Sequence, residues 1–144
     1  MKLNIKKFNE LTVNELYEIY KARVDIFVVE QECPYPEVDE ADKYSYHIWL
    51  EDEGEIAAYL RVVPPNVIFE EPSLGRIISV KRSCGYGAKI VKEGIEAVKR
   101  LYDTDKIKIK AQQYAEGFYN KFGFKRVSDE FMDDGIPHIY MVRN

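Results

Sequence analysis

One stretch constrains this chain more than any other: Arg82-Ser83-Cys84-Gly85-Tyr86-Gly87-Ala88. An apolar segment, Arg76-Ile77-Ile78-Ser79-Val80, leads into it, and a helical pattern from Lys89 to Tyr102 leads out of it. A strand, a glycine turn with a basic residue, then a helix is suited to holding an anion. Glycines let backbone N–H groups approach closely, and the first helical turn offers unpaired donors in a favourable dipole field. Only Lys81 separates Val80 from Arg82, so the turn is tight. Gly85 and Gly87 have a second reading, as residues that merely shape a turn and cap a helix.

The helix beyond the turn carries an apolar stripe of Ala88, Val91, Ile95, Val98, Leu101 and Tyr102. Upstream, residues 3–9 alternate as a half-buried strand does. Thr12-Val13-Asn14-Glu15 reads as a capping box opening a helix with Leu16, Ile19, Tyr20, Arg23 and Phe27 at helical spacing. Ile26 to Gln31 ends it, before prolines at 34 and 36. Residues 34–44 form an acidic loop, either a solvated connector or one wall of a site that attracts a cation. Tyr46–Leu50 and Ile56–Val63 are a hairpin around Gly54. Val67-Ile68-Phe69 is a short edge piece, and Leu74–Val80 is the strand that enters the glycine turn.

Lys106 to Lys110 alternates strictly as a strand. Gln112 to Lys121 is a short helix ending at Gly123, placed for a left-handed cap. Residues 124–127 and 138–142 close the chain as strands around an acidic loop, 129–134. The order β-α-β-β-β-α-β-α-β-β predicts one domain over residues 1–144, with a mixed sheet. Strands 74–80 and 106–110 should form a parallel pair with a right-handed crossover.

Composition excludes several classes. A net charge of −4 with no basic block argues against a nucleic-acid partner. The N-terminus lacks an apolar signal core and no stretch reaches membrane-spanning length, which predicts a cytoplasmic protein with no membrane partner. Cys33 and Cys84 lie far apart, as free thiols in a reducing compartment do. No metal site is expected.

Three motifs carry a resemblance. Arg82-x-x-Gly85-x-Gly87-Ala88 after a strand resembles the acyl-CoA turn of the GNAT N-acetyltransferase superfamily. Ala115-x-x-Phe118-Tyr119-x-x-x-Gly123-Phe124 is similar to its later helix-to-strand motif. Phe27-Val28-Val29-Glu30-Gln31-x-Cys33-Pro34-Tyr35, with Asp134-Gly135-Ile136-Pro137-His138, resembles the ElaA-like branch. The resemblance implies a GNAT-like three-layer α+β fold, its central sheet mixed and mostly antiparallel, with a splayed parallel pair and flanking helices.

The implied co-substrate is acetyl-CoA, its diphosphate held by Arg82, Gly85, Tyr86, Gly87 and Ala88 and its pantetheine by backbone groups of Ile78, Ser79 and Val80. Tyr119 is implied as the proton donor to the departing thiolate, since a thiol has a pKa of roughly 8.5 and a phenol roughly 10. Glu30, His47 and His138 are candidates to accept the amine's proton, and Gln31, Asp39 and His138 to position the acceptor. For Tyr119 and the histidines a purely structural role stands beside the functional one. Cys84, beside a helix N-terminus, is a remote candidate for a covalent path.

The function expected is transfer of an acetyl group to a primary amine, of a small molecule or a peptide, by a monomer or homodimer. The alternatives are a non-catalytic acyl-CoA-binding or sensing module on the same fold, and a binder of another phosphate ligand.

Overall fold

In a computed structural model of the protein, the first helix begins where its capping box predicts. Thr12 Oγ1 accepts from the Glu15 N–H at 3.0 Å, and Glu15 Oε1 accepts from the Thr12 N–H at 2.9 Å. Helix α1 spans Val13–Val24. It does not simply stop there: Asp25–Glu30 continue as a π-helical turn, whose wider spacing appears in the bonds Gln31 N–H to Ile26 O and Cys33 N–H to Val28 O. The structure describes residues 1–82 and 84–144; Ser83, in the glycine turn, lies outside the described residues.

Strands β1 (Lys2–Lys7), β2 (Tyr46–Asp52), β3 (Glu55–Val63) and β4 (Ser73–Ser79) form one antiparallel sheet in chain order. Strands β5 (Ile107–Gln112), β6 (Phe124–Arg126), β7 (Phe131–Asp133) and β8 (Ile136–Arg143) form a second. Its order is β5-β8-β6, with β7 also paired to β8. Helix α2 (Tyr86–Tyr102) connects the sheets. A 3₁₀ turn, Gln113–Ala115, precedes the short helix α3 (Glu116–Asn120). This is the mixed α+β layering expected of a GNAT fold, with three α-helices among the described residues.

Burial explains the layers. On β2 and β3, Ile48, Leu50, Ala58, Leu60 and Val62 join the core against α2, which contributes Ile90, Val91, Ala97 and Val98. Alternate residues Trp49 and Tyr59 face the other way, toward Ile19 of α1, as the two-residue period of a strand requires. Covered on both faces, β3 is buried from Ala57 to Val63. Gly94 lets α2 approach closely: a Cβ there would lie 2.8 Å from Leu60 Cδ2.

All ladders among the described residues are antiparallel. The parallel pair β4 and β5 is splayed, as the resemblance implies, joined at its base by Lys108 N–H to Pro72 O at 3.1 Å, with no ladder among the described residues. Other expectations are corrected. Val67-Ile68-Phe69 is turn and bend rather than an edge strand, and Asn66 has a left-handed φ of 65°. Helix α2 starts at Tyr86, three residues before the expected Lys89, and its buried face is Ile90, Val91, Gly94, Ala97 and Val98, rotated from the stripe read off the sequence. Glycine 94 and alanine 97 hide that face from a count of large apolar residues. The acidic loop 129–134 holds the extra strand β7.

Candidate active site

Because β4 and β5 part above their base, a cleft of about 1130 Å³ opens between them. Arg82, Ser79 and Gly87 line one end; Asp39, Arg76, Phe69 and Tyr140 line the other. The π-helical turn forms a wall through Ile26, Phe27 and Glu30.

The first end is built from α2. Gly85 is its N-cap at φ 74°, where a side chain would be strained. It offers no capping side chain, and the first turn has no acidic residue. Lys89 N–H to Gly85 O, 3.2 Å, begins the helical bonding. The N–H groups of Tyr86, Gly87 and Ala88 therefore precede any intrahelical acceptor and remain available to an anion. Gly87 lines the cleft between Phe118 and Ser79, each 3.9 Å from where its Cβ would be. The Tyr86 side chain points elsewhere, its hydroxyl donating to Asp52 Oδ2 at 3.0 Å. Tyr86 can thus contribute a backbone donor, not a phenol.

Next comes the edge of β4. Val80 N–H donates to Ala57 O of β3 at 2.8 Å. Alternation along the strand then turns the amides of Ile77 and Ser79 toward the cleft. Ser79 O, on that open side, accepts from Arg82 Nε at 2.9 Å. Of the expected trio, Ile78 and Ser79 line the cleft, but Val80 does not: its N–H is committed to β3 and its side chain is exposed. Ile77 takes its place. Below it the register slips, Tyr59 opposing Ile78 but Arg61 opposing Gly75, so β4 carries one extra residue. Arg76 within this bulge has a left-handed φ of 51°, a strained conformation for a residue with a side chain.

Tyr119 and Phe118 of α3 reach the middle of the cleft. The Tyr119 hydroxyl has no hydrogen-bond partner among the described residues. Burial, with a smaller push from Tyr114, raises its pKa well above the usual phenol value, so it stays protonated and able to donate.

At the acceptor side, His138 Nδ1 lies 2.7 Å from Ile136 O. A carbonyl only accepts, so Nδ1 carries a proton, and in the neutral tautomer that this bond selects the lone pair sits on Nε2. His138 stacks on Phe131 and lines the cleft. Gln31 Oε1 accepts from Gln112 Nε2 at 3.1 Å, spanning the cleft from the π-turn to β5. Glu30 Oε2 accepts from Arg82 Nη2 at 2.7 Å. Cys33 is buried, and its Sγ donates to Asp134 O at 3.3 Å; Cys84 is exposed.

Two expectations fail here. His47 does not reach the cleft. It is fully buried on β2, with Nε2 2.9 Å from Asp42 O and Nδ1 2.7 Å from the Tyr59 hydroxyl. Both nitrogens are engaged, so it is not a base for the acceptor. Burial also depresses its pKa, against the opposing pull of Asp42.

The loop 34–44 is neither a solvated connector nor a free cation trap. Its Glu37 and Asp42 are buried, and with Asp39 they pair with Arg23, Arg61 and Arg76. Burial would raise the carboxyls of Asp39 and Asp42, but the arginine hydrogen bonds and charges outweigh it and hold both below the ordinary value. Asp39 lines the cleft as expected, yet it is held by Arg61 and Arg76. This network, and the bulge at Arg76, escaped sequence reading because the partners lie far apart in the chain. Among the described residues no group of three or more His, Cys, Asp or Glu could hold a metal ion, and no helix is long and apolar enough to cross a membrane.

A groove running from a bare helix N-terminus between splayed strands defines a class, and comparison with known proteins agrees. The Acetyltransferase (GNAT) domain family matches residues 24–144, and the chain belongs to that family. It is similar to a UPF0039 protein of Schizosaccharomyces pombe, 40% identical over 140 residues that cover 94% of this chain and 92% of the relative. Its structure is similar to that of an acyl-CoA N-acyltransferase from Pseudomonas aeruginosa, with TM-score 0.94 and 32% identity over 100% of both chains. Escherichia coli ElaA is a further neighbour, with TM-score 0.92 and 30% identity over 99% of both chains.

Proposed function

We propose that the protein is an N-acetyltransferase that moves an acetyl group from acetyl-CoA to a primary amine by direct attack on the thioester. One observation carries this reading: the cleft joins the uncapped N-terminus of α2 at Gly87 to the open edge of β4 and ends among polar acceptor residues. The residues present fit the co-substrate. Backbone N–H groups of Gly85 to Ala88, with Arg82, suit a diphosphate. Ile77 and Ser79, with Ile78 between them, offer strand-edge amides to the pantetheine arm. Acyl-CoA supplies an acyl group activated as a thioester.

The chain's own contribution is to hold the two substrates together and to handle two protons. As the C–N bond forms and the C–S bond breaks, His138 Nε2 accepts the proton of the amine. The Tyr119 hydroxyl donates a hydrogen bond, and then a proton, to the departing sulfur, and the phenolate at once regains a proton from solvent in the open cleft. Glu30 and Gln31 position the acceptor. The family membership and the free thiols support a cytoplasmic enzyme acting on a small-molecule or peptide amine. Incubation with acetyl-CoA and a panel of primary amines tests this, free coenzyme A being the readout. Amine-dependent release supports the reading. Tight acetyl-CoA binding without release for any amine would favour the binding module instead.

A further inference from the structure

Glu30 and Arg82 meet across the mouth of the cleft, from opposite walls and 52 residues apart in the chain. Their side chains are 52% and 58% exposed, and both line the cleft. Arg82 stands three residues before Gly85, where the free N–H groups of α2 open. An ion pair this exposed is weak. A diphosphate among those N–H groups would present several charged oxygens to the same guanidinium, which favours such oxygens in a forked geometry. Arg82, whose Nε also donates to Ser79 O, would therefore have two anions to choose between, Glu30 in the protein and a diphosphate in the ligand.

What happens to Glu30 when Arg82 turns is set by its neighbours. Gln31 is tied to Gln112 at 3.1 Å and Cys33 to Asp134 O at 3.3 Å, so the backbone on the C-terminal side of Glu30 stays anchored across the cleft. Only the Glu30 side chain is released. The other carboxylates lining the cleft differ: Asp39 is held by Arg61 and Arg76, and Asp133 by Lys110. Asp134, on the β7–β8 turn, has no ion pair among the described residues and is equally available in either state. Glu30 is the carboxylate whose availability changes.

We propose that Arg82 and Glu30 form an exchange pair: the diphosphate of acyl-CoA takes Arg82, and the freed Glu30 carboxylate docks the ammonium group of a cationic acceptor. This rests on the proposed function and specifies its acceptor class. Coupling of this kind is reciprocal, so each ligand strengthens the other.

The test uses coenzyme A and n-butylammonium as probes on the wild-type protein, Glu30→Gln and Glu30→Gln/Arg82→Gln. Glu30 is exposed and the change is isosteric, so folding is preserved; a thermal melt checks this. Calorimetry should show coenzyme A binding Glu30→Gln about two- to fivefold more tightly than wild type, because a competitor for Arg82 is gone. Removing Arg82 as well should abolish that gain. NMR titration should show n-butylammonium binding at least about threefold more tightly with saturating coenzyme A in the wild type, and no such gain in Glu30→Gln. A role confined to stability would not give these opposite signs. If Glu30→Gln binds coenzyme A no more tightly, or keeps the ammonium gain, the exchange is overturned while the acyltransferase reading stands. If the wild-type protein binds no coenzyme A, both fall.

Discussion

Arg23 donates to both oxygens of Asp42, at 2.8 and 3.2 Å, within a core where neither side chain is more than 1% exposed. The same guanidinium reaches both oxygens of Glu37 from Nε at 3.1 Å. Removing this cation leaves buried Asp42 to Arg61 alone and buried Glu37 to Arg76 alone, with acceptor positions on both carboxylates unpaired away from water. Arg23→Met should lower the unfolding free energy by about 3–5 kcal/mol, read by urea denaturation. A loss under about 1 kcal/mol would mean that the network behaves as a surface ion pair.

His47 gives the protein a defined pH response. Burial holds the folded imidazole below its ordinary pKa of 6.5. Between those two values the unfolded chain binds the proton and the folded chain does not. The stabilising contribution is therefore complete above about pH 6.5 and falls as pH drops toward the folded value, by up to about 1.4 kcal/mol per pH unit. His47→Gln should be less stable at pH 7.5 but should lose this part of the slope between pH 7 and 5.5, read by urea denaturation. An unchanged slope would assign the titration to another group.

Gly94→Ala should destabilise, although alanine is the better helix former by about 1 kcal/mol. The new methyl would lie 2.8 Å from Leu60 Cδ2 and 3.2 Å from Leu74 Cδ2. Leu60 is fully buried and has little room to move. A net loss of about 1–2 kcal/mol is expected, with a lower melting temperature as the readout. A stabilised variant would show that α2 sits further from the sheet.

Tyr119→Phe removes a hydroxyl that has no hydrogen-bond partner among the described residues, from a side chain that lines the cleft. Turnover should fall by about a hundredfold with acetyl-CoA affinity and stability nearly unchanged. Equal turnover would remove Tyr119 from the chemistry.

Local chemistry made some of this legible in the sequence. Thr12 and Glu15 lie three residues apart and cap one helix, so their spacing reveals them. Gly85 and Gly87 mark the turn before α2 in the same way. On the acceptor side Glu30, Gln31, Asp39 and His138 were candidates in the sequence, but Arg76 and Gln112 were not, because they come to the same cleft from separate segments. Glu37, Asp39 and Asp42 read as a solvated connector or as a wall that attracts a cation until Arg23, Arg61 and Arg76 arrive from other elements. His47 showed nothing of its depth, because strand alternation tells which residues share a face and not what covers that face. Arg76 is likewise an ordinary strand residue until the register across Arg61 and Gly75 exposes the bulge.

The central claim is that acyl-CoA enters the cleft between β4 and β5 with its diphosphate at the start of α2. Calorimetric titration of acetyl-CoA into the wild-type protein and into Gly87→Glu tests it most directly. The substitution places a carboxylate where the cleft meets the free N–H groups. The account predicts one saturable site in the wild type and at least about a tenfold loss in the variant, or about 1.4 kcal/mol. Equal affinity in a folded variant would contradict it.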